Sequence, residues 1–174
     1  QMQKDATLAA AEMAGLGSVA LMQEPVAAVM CVMKQRKGDG VFLVFDLGGG
    51  TLDIAIAESI SGRVSLLAHG GVAMCGGTDF DRSILDNVVK PWLLSQFDLP
   101  GDFTANSKYK SLLRMCLWAA EKAKIELSAK EESVISLTES DLGVTDQSGA
   151  EVYVDIPFSR KQLDELVAPK LDEA

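Results

Sequence analysis

Histidine and cysteine are scarce in this sequence, and their scarcity excludes several kinds of site. His69 is the only histidine, and no serine or cysteine stands at a spacing that would make it the base of a catalytic triad. The three cysteines, Cys31, Cys75 and Cys116, are an odd number, widely spaced and each set among apolar neighbours. This pattern favours reduced core residues of a cytoplasmic protein over a disulfide framework or a zinc site.

Basic residues and long apolar runs are also in short supply. The chain has 16 Lys and Arg residues against 25 Asp and Glu, a net charge of −9, which argues against nucleic acid as a partner because phosphate backbones are bound through clustered basic side chains. The apolar stretch 19–33 is broken by Gln23, Glu24 and Pro25, so we predict no membrane span. The sequence contains neither a P-loop motif nor a signal peptide, and its start at Gln1 suggests a cut inside a longer protein.

The most informative segment is a glycine-rich motif between two predicted strands. Residues 41–45 are all apolar and predict a buried strand, and three consecutive glycines then allow the backbone to turn without a side chain in the way. The strand that follows alternates. One of its faces should carry Leu52, Ile54 and Ile56, and the other Thr51, Asp53 and Ala55.

Two carboxylates and a row of glycine amides predict what this motif binds. Asp46 and Asp53 flank Gly48, Gly49, Gly50 and Thr51. Glycine N–H groups that point into a concavity suit phosphate oxygens, and two nearby acids repel each other unless a cation lies between them. An ordinary hairpin turn that begins with aspartate is the alternative. The apolar strand, triple glycine, threonine and second aspartate together favour a magnesium nucleotide phosphate.

The order of predicted elements indicates an α/β architecture. We expect helices at 5–14, 25–35, 79–97, 106–129 and from 160 onward, and strands at 18–23, 41–46, 51–58, 63–69, 132–138 and 150–157. Pro91 should kink or split its helix, Asp146 to Gly149 should form a turn, and Ser159 with Gln162 forms a capping box. The pattern divides the chain into an α/β part, 1–74, an inserted α+β part, 75–158, and a returning helix.

Further polar residues stand at places where spacing alone leaves their role open. Glu24 precedes Pro25 at a strand-to-helix junction and is either a first-turn acid favoured by the helix dipole or a third carboxylate for the site. On the helix 106–129 an apolar stripe is formed by Leu112, Cys116, Ala119, Ala123 and Leu127. A different face carries Glu121, Lys124 and Ser128. That face is either solvated or a polar rim for a ribose and a base, and the spacing favours the solvated face.

Five motifs in order resemble the nucleotide-binding domain of the seventy-kilodalton heat-shock chaperones, the DnaK type. They are the run Gln3-Lys4-Asp5-Ala6-Thr7 with Ala14-Gly15-Leu16, the run Glu24-Pro25-Val26-Ala27-Ala28, the phosphate loop from Asp46 to Asp53, the turn Gly76-Gly77-Thr78-Asp79-Phe80-Asp81, and the helix segment 120–128. Each motif is weak by itself, and all five at family-like spacing make a chance match improbable. The resemblance implies an actin-like ATPase (ribonuclease H-like) fold with an inserted α+β subdomain.

The same resemblance implies roles for individual positions. The residues implied to hold the β- and γ-phosphates of ATP or ADP are Gly48, Gly49, Gly50 and Thr51, and Gly76 and Gly77 are further implied cofactor-binding residues. Asp46 would hold magnesium through water, and Asp53 and Glu24 would orient the attacking water with Thr51. Glu121, Lys124 and Ser128 would contact adenosine. The implied partners are unfolded peptides, a J-domain co-chaperone and a nucleotide-exchange factor, with neither nucleic acid nor membrane.

The resemblance also predicts which parts of the family's domain this chain covers. We expect the end of lobe I at 1–38, the base of lobe II at 39–74 and 159–174, and the upper subdomain of lobe II at 75–158. The family's first phosphate loop and catalytic lysine have no counterpart, so we expect no ATPase activity from this chain alone. Its departures from the family pattern are Lys4, Leu52, Thr78 and Pro91.

Two other classes of protein share parts of this pattern. Another actin-like ATPase, such as a sugar kinase or a filament-forming protein, has the phosphate loops but not the adenosine helix, so the helix disfavours it. A non-enzymatic scaffold is disfavoured by the intact Glu24, Asp46, Thr51 and Asp53. A D-x-G-T-T loop upstream and a β-rich domain downstream in the longer protein would establish a chaperone.

Overall fold

The computed structural model describes residues 2–35 and 38–172 and has a mixed α/β architecture. Its elements in chain order are α1 (Met2–Met13), α2 (Glu24–Met33), β1 (Gly40–Leu47), β2 (Thr51–Ile60), β3 (Arg63–Ala73), α3 (Gly77–Ile84), a π-helical segment (Leu85–Val89), α4 (Lys90–Gln96), a 3-10 turn (Ser107–Tyr109), α5 (Lys110–Leu127), β4 (Glu132–Leu137), α6 (Glu139–Leu142), β5 (Val154–Ser159) and α7 (Arg160–Asp172). Residues 1 and 174, where the first and last predicted domain ranges begin and end, lie outside the described residues. Residues 36 and 37, in the segment before β1, lie outside them as well. In the described ranges, no helix has the length and apolar character needed to cross a membrane.

The first of two compact units contains residues 1–46 and 53–70. Its sheet has the order β1-β2-β3, and the two connections are too short for a crossover, so neighbouring strands run antiparallel. The turn at Ser61 is fixed by its N–H, which donates to Oδ1 of Asp39 at 2.7 Å. The predicted helices before this sheet and its three predicted strands are confirmed, with Pro25 in the first turn of α2, where a missing N–H costs nothing.

Burial in this sheet differs from the prediction. The first strand was expected to be buried, but Val41, Leu43 and Phe45 are 63–70% exposed. In β2, Leu52, Ala55 and Ala57 are buried and Ile54 and Ile56 are exposed, so the three side chains expected on one face, Leu52, Ile54 and Ile56, differ in burial. An apolar strand pattern shows which side chains could be buried, but it does not show whether another element covers them.

The predicted strand at 18–23 is wrong. Among the described residues this segment forms neither strand nor helix, and Leu21 and Met22 are exposed. A short apolar run has no strand geometry of its own, because a strand needs a neighbouring chain to pair with.

The second unit contains residues 47–52 and 71–174 and holds a contiguous hydrophobic core. The side chains come from α3 to α5 and from β4 and β5, and the most deeply buried include Ile84, Val89, Leu93, Leu112, Cys116, Ile135, Val152, Val154 and Phe158. The predicted apolar stripe of the long helix is confirmed, since all five of its members are at most 4% exposed. Helix α5 therefore packs one face against this core, and its other face carries exposed residues such as Glu121 and Ser128.

Pro91 interrupts the preceding helix as predicted. The helix is divided into α3 and α4 by the π-helical segment Leu85–Val89, which ends immediately before the turn that contains the proline. Proline has no N–H and its ring crowds the carbonyl four residues earlier, so the backbone widens by one residue rather than breaking.

The second unit ends with the strand pair β4 and β5 and the helix α7. Strands β4 and β5 pair antiparallel with Ile135 opposite Ile156, and the turn predicted at 146–149 is held by the Asp146 N–H, which donates to the Ala150 carbonyl at 2.9 Å. The second strand begins at Val154, later than predicted, because Glu151 makes only an isolated bridge. The capping box at α7 is confirmed, with the Ser159 N–H donating to Oε1 of Gln162 at 2.8 Å.

Candidate functional site

The glycine turn at 48–50 is held by its own backbone and by the segment before α3. The Gly48 N–H donates to the Thr51 carbonyl at 2.9 Å and closes the turn between β1 and β2. The three glycine carbonyls accept hydrogen bonds from the segment 74–78: Met74 donates to Gly50 at 2.9 Å, Gly77 to Gly48 at 3.0 Å, and Thr78 to Gly49 at 2.7 Å. All three carbonyl oxygens of the turn are therefore used on one side.

Gly76 makes this contact possible because it lies against the turn backbone. A Cβ at position 76 would stand 2.5 Å from the carbonyl carbon of Gly49 and from the nitrogen of Gly50. Any side chain at that position would push the two segments apart, since nonbonded carbon atoms stay about 3.5 Å apart or more. Glycine is required here for close approach rather than for an unusual backbone angle.

The turn also has backbone donors without a partner. Within 2–35 and 38–172, the N–H groups of Gly49 and Gly50 donate to no acceptor. Gly49, Gly50 and Thr51 are exposed. Two successive N–H groups without a partner and a threonine hydroxyl are donors of the kind that phosphate oxygens accept from. The turn therefore fits a phosphate group.

The two aspartates lie on the strands that enter and leave this turn. Asp46 is the penultimate residue of β1, and Asp53 is the third residue of β2, and both are exposed. Among the described residues, no group of three or more His, Cys, Asp or Glu side chains is placed to hold a metal ion. Direct three-carboxylate coordination is thus not preformed, and carboxylates that reach a magnesium ion through water need no such cluster.

Glu24 is the first residue of α2 and is exposed. With Gln3, Lys4 and Thr7 of α1 it lines a surface cavity of about 440 Å³, so the unusual Lys4 stands at the same cavity as this acid. Helix α2 has no side-chain cap at Gln23, and an acid in its first turn is favoured by the helix dipole. The position of Glu24 in the first turn fits the helix-dipole role, and its part in the site stays a prediction.

The polar face of α5 divides into exposed and engaged residues. Glu121 and Ser128 are exposed, and the Ser128 hydroxyl donates to the Ile125 carbonyl at 2.6 Å. Lys124 is engaged: its Nζ lies 2.6 Å from Oδ1 of Asp81 and donates to the Gly77 carbonyl at 3.0 Å. The three residues that the spacing groups together thus have different surroundings.

Asp81 is a site residue whose role sequence reasoning missed. It lies on α3, is 6% exposed and pairs with Lys124. Burial raises the pKa of the Asp81 carboxyl, the hydrogen bond and charge of Lys124 oppose this, and the charge of Glu121 adds to it. The sequence showed an acid at position 81, shortly after Gly76 and Gly77. It showed neither the burial of this acid nor its pairing with Lys124, which stands 43 residues further along the chain.

The chain is similar throughout its length to one family of known proteins. The family model described as Hsp70 protein matches residues 1–174. The chain is 38% identical over 169 residues to the chaperone protein DnaK of Deinococcus proteolyticus, which covers 97% of this chain and 26% of the relative. It is 36% identical over 172 residues to DnaK of Nitrosopumilus maritimus, covering 98% of the chain and 26% of that protein.

DnaK of Thermus thermophilus is 34% identical over 169 residues, covering 97% of the chain and 26% of the relative. The chain therefore spans about a quarter of the length of these curated relatives. The family match over the whole chain and the similarity to these relatives point to one class of protein. This chain belongs to the Hsp70 family.

Proposed function

We propose that this chain forms part of the ATP-binding and ATP-hydrolysing domain of a heat-shock chaperone, in which the nucleotide state controls binding of unfolded peptides. The observation that carries the proposal is the turn at 48–50, whose carbonyls are all used by the segment 74–78 while the N–H groups of Gly49 and Gly50 stay free. Membership of the Hsp70 family and similarity to proteins named DnaK support it.

The residues of the turn would bind the phosphates. The glycine N–H groups and the Thr51 hydroxyl would donate to phosphate oxygens, and Asp53 and Glu24 would accept hydrogen bonds from the attacking water. Positioning and charge stabilisation account for most of the catalysis in phosphoryl transfer, so fixed donors on a rigid turn suit this task. Gly76 and Gly77 would act on the nucleotide by holding the turn in place.

Magnesium, when bound, would neutralise phosphate charge. Asp46 would hold it through water, which suits an exposed carboxylate that is not part of a metal cluster. On α5, Glu121 and Ser128 are exposed and would contact adenosine, as the family resemblance implies. A role for Lys124 at the nucleotide also follows from the resemblance, and its ion pair with Asp81 decides how it would act.

We further propose the domain arrangement implied by the resemblance, an actin-like fold in a cytoplasmic protein. It places 1–38 in lobe I, 39–74 and 159–174 in the base of lobe II, and the inserted α+β subdomain at 75–158. A J-domain co-chaperone and a nucleotide-exchange factor would act on the whole protein. A sugar kinase or filament-forming relative is not favoured, since the match over the whole chain is to Hsp70.

The experiment uses the protein at its full natural length. Thr51→Val and Asp53→Asn should each lower single-turnover ATP hydrolysis about 10²-fold while ATP affinity changes only a few-fold, because a positioned donor or acceptor acts mainly on the reacting phosphate. The matched controls are Thr104→Val and Asp155→Asn, at exposed positions elsewhere on the second unit. Loss of ATP affinity with an unchanged rate of hydrolysis in either Thr51 or Asp53 variant would contradict the assignment of β2 to the catalytic side.

A further inference from the structure

Trp118 is an exposed aromatic residue on the side of α5 that faces away from the core of the second unit. It is 53% exposed, whereas Cys116 and Ala120, two residues before and two after it, are fully buried. A helix turns by about 100° per residue, so Trp118 lies roughly 160° around the helix from both of them. The core that buries Cys116 and Ala120 therefore cannot also cover the Trp118 ring.

The ring is part of a larger exposed surface on this side of the helix. Nζ of Lys122 lies 5.7 Å from the centroid of the Trp118 ring. Ile125, which is 60% exposed, lies two turns further on and within about 20° of the same side. Trp118, Lys122 and Ile125 together form what we call the Trp118 face. Large apolar side chains that share an exposed helix face, one of them a tryptophan, are typical of a contact surface.

The Trp118 end of this face lies beyond the residues that the proposed function assigns to adenosine. Glu121 and Ser128 stand about 10 Å apart along the axis of α5, and Ile125 lies between them. Trp118 stands roughly 5 Å before Glu121 along the same axis. A nucleoside held by Glu121 and Ser128 would therefore leave the Trp118 ring at the edge of the site.

We propose that nucleotide binding brings the Trp118 ring into contact with the part of the longer protein that carries the family's first phosphate loop and catalytic lysine. This inference rests on the proposed function. The chain spans about a quarter of the length of its relatives, and the resemblance places that loop and that lysine outside it. Two parts that hold one nucleotide enclose it between them, so they meet at its edge, where Trp118 lies.

The proposal concerns the closed, nucleotide-bound form, so it predicts a kinetic effect. The contact at Trp118 forms after the nucleotide has entered, and it has to break before the nucleotide can leave. Loss of the ring therefore speeds release of the nucleotide and leaves the rate of association unchanged.

The first experiment is stopped-flow kinetics of the full-length protein with a fluorescent analogue of ADP. Trp118→Ala should raise the dissociation rate about tenfold, a factor that one packed aromatic side chain can supply, with the association rate within about twofold of the wild type. Trp118→Phe keeps a ring and should stay within about threefold of the wild type. The matched control is Leu94→Ala, because Leu94 is an apolar residue on α4 of the same unit and is 50% exposed.

The second experiment observes the ring directly, by fluorine NMR of the full-length protein labelled with 5-fluorotryptophan. The resonance that moves in Trp118→Phe from the tryptophan region to absence identifies Trp118. Addition of ADP should shift this resonance and protect it from a soluble paramagnetic agent. The Trp92 resonance is the internal control, since its ring already packs against those of Phe97 at 6.2 Å and Tyr153 at 5.9 Å.

Three results would overturn the inference. They are a Trp118 ring that stays accessible with ADP bound, protection that requires a second copy or an added partner protein, and an unchanged dissociation rate in Trp118→Ala. A wild-type protein that does not bind ADP would instead refute the proposed function itself.

Discussion

Replacing Gly76 by alanine tests whether the two glycine segments depend on close backbone contact. The added Cβ would lie 2.5 Å from two backbone atoms of the turn and 2.6 Å from the Gly49 oxygen. To restore ordinary contact, the segments must separate by roughly 1 Å. The bonds from Gly77 to Gly48 at 3.0 Å and from Thr78 to Gly49 at 2.7 Å would then approach or exceed the length at which a hydrogen bond is lost.

The cost combines overpacking with weakened hydrogen bonds. Overpacking costs about 1–3 kcal/mol and each of the two lost hydrogen bonds about 0.5–1.5 kcal/mol, so the free energy of unfolding should fall by about 2–6 kcal/mol. Urea unfolding followed by tryptophan fluorescence measures it, because Trp92 and Trp118 both lie on helices of the second unit.

Gly50→Ala is the matched control for stability. It adds the same methyl group to the turn itself, where nothing lies within 4 Å of the new Cβ. Its free energy of unfolding should stay within about 0.5 kcal/mol of the wild type. If Gly76→Ala were as stable as this control, the close approach would carry no energetic weight and the reasoning would fail.

Two further predictions concern ionisable groups. Burial raises the pKa of Cys116 to about 12, so at pH 8 a thiol reagent should label the exposed Cys31 quickly and Cys116 only at the rate of unfolding, as mass spectrometry of the labelled peptides would reveal. Fast labelling of Cys116 in the folded protein would contradict its burial. In Lys124→Met, the pKa of Asp81 should rise further above 3.8, because the groups that lower it are gone. A carboxyl group whose pKa is higher in the folded than in the unfolded state stabilises the folded state at low pH. This stabilisation is lost as the pH rises through the folded-state pKa, so urea unfolding should show that Lys124→Met loses more stability at pH 7 than at pH 4. Adding Asp81→Asn should remove this difference, and its persistence would assign the pH dependence to another group.

Local signals made the second unit largely predictable. The stripe from Leu112 to Leu127 repeats at the helical period, and a helix with such a stripe packs on a core whatever the core contains. The capping box at Ser159 and Gln162 is likewise a contact within one turn of chain. Even the effect of Pro91 follows from its own ring and its missing N–H.

Features that depend on contacts between distant parts of the chain could not be predicted from the sequence. The exposed faces of β1 and β2 and the missing strand at 18–23 depend on what pairs with or covers a segment, which an apolar pattern cannot specify. The two glycine segments were found as separate motifs, but nothing in either one indicates that Gly76 touches Gly49 and Gly50. The contact is visible only when both segments are seen together in the folded structure.

Lys124 illustrates why spacing could not settle the polar face of α5. Its position relative to Glu121 and Ser128 is fixed by the helix, and by that criterion the three residues are alike. What distinguishes Lys124 is Asp81, a residue that α3 brings to 2.6 Å after a π-helical segment and a whole helix have intervened. The buried carboxylate of Asp81 pairs with Lys124, whereas Glu121 and Ser128 are exposed. The tertiary contact, rather than the helix, therefore gives the three side chains their different surroundings.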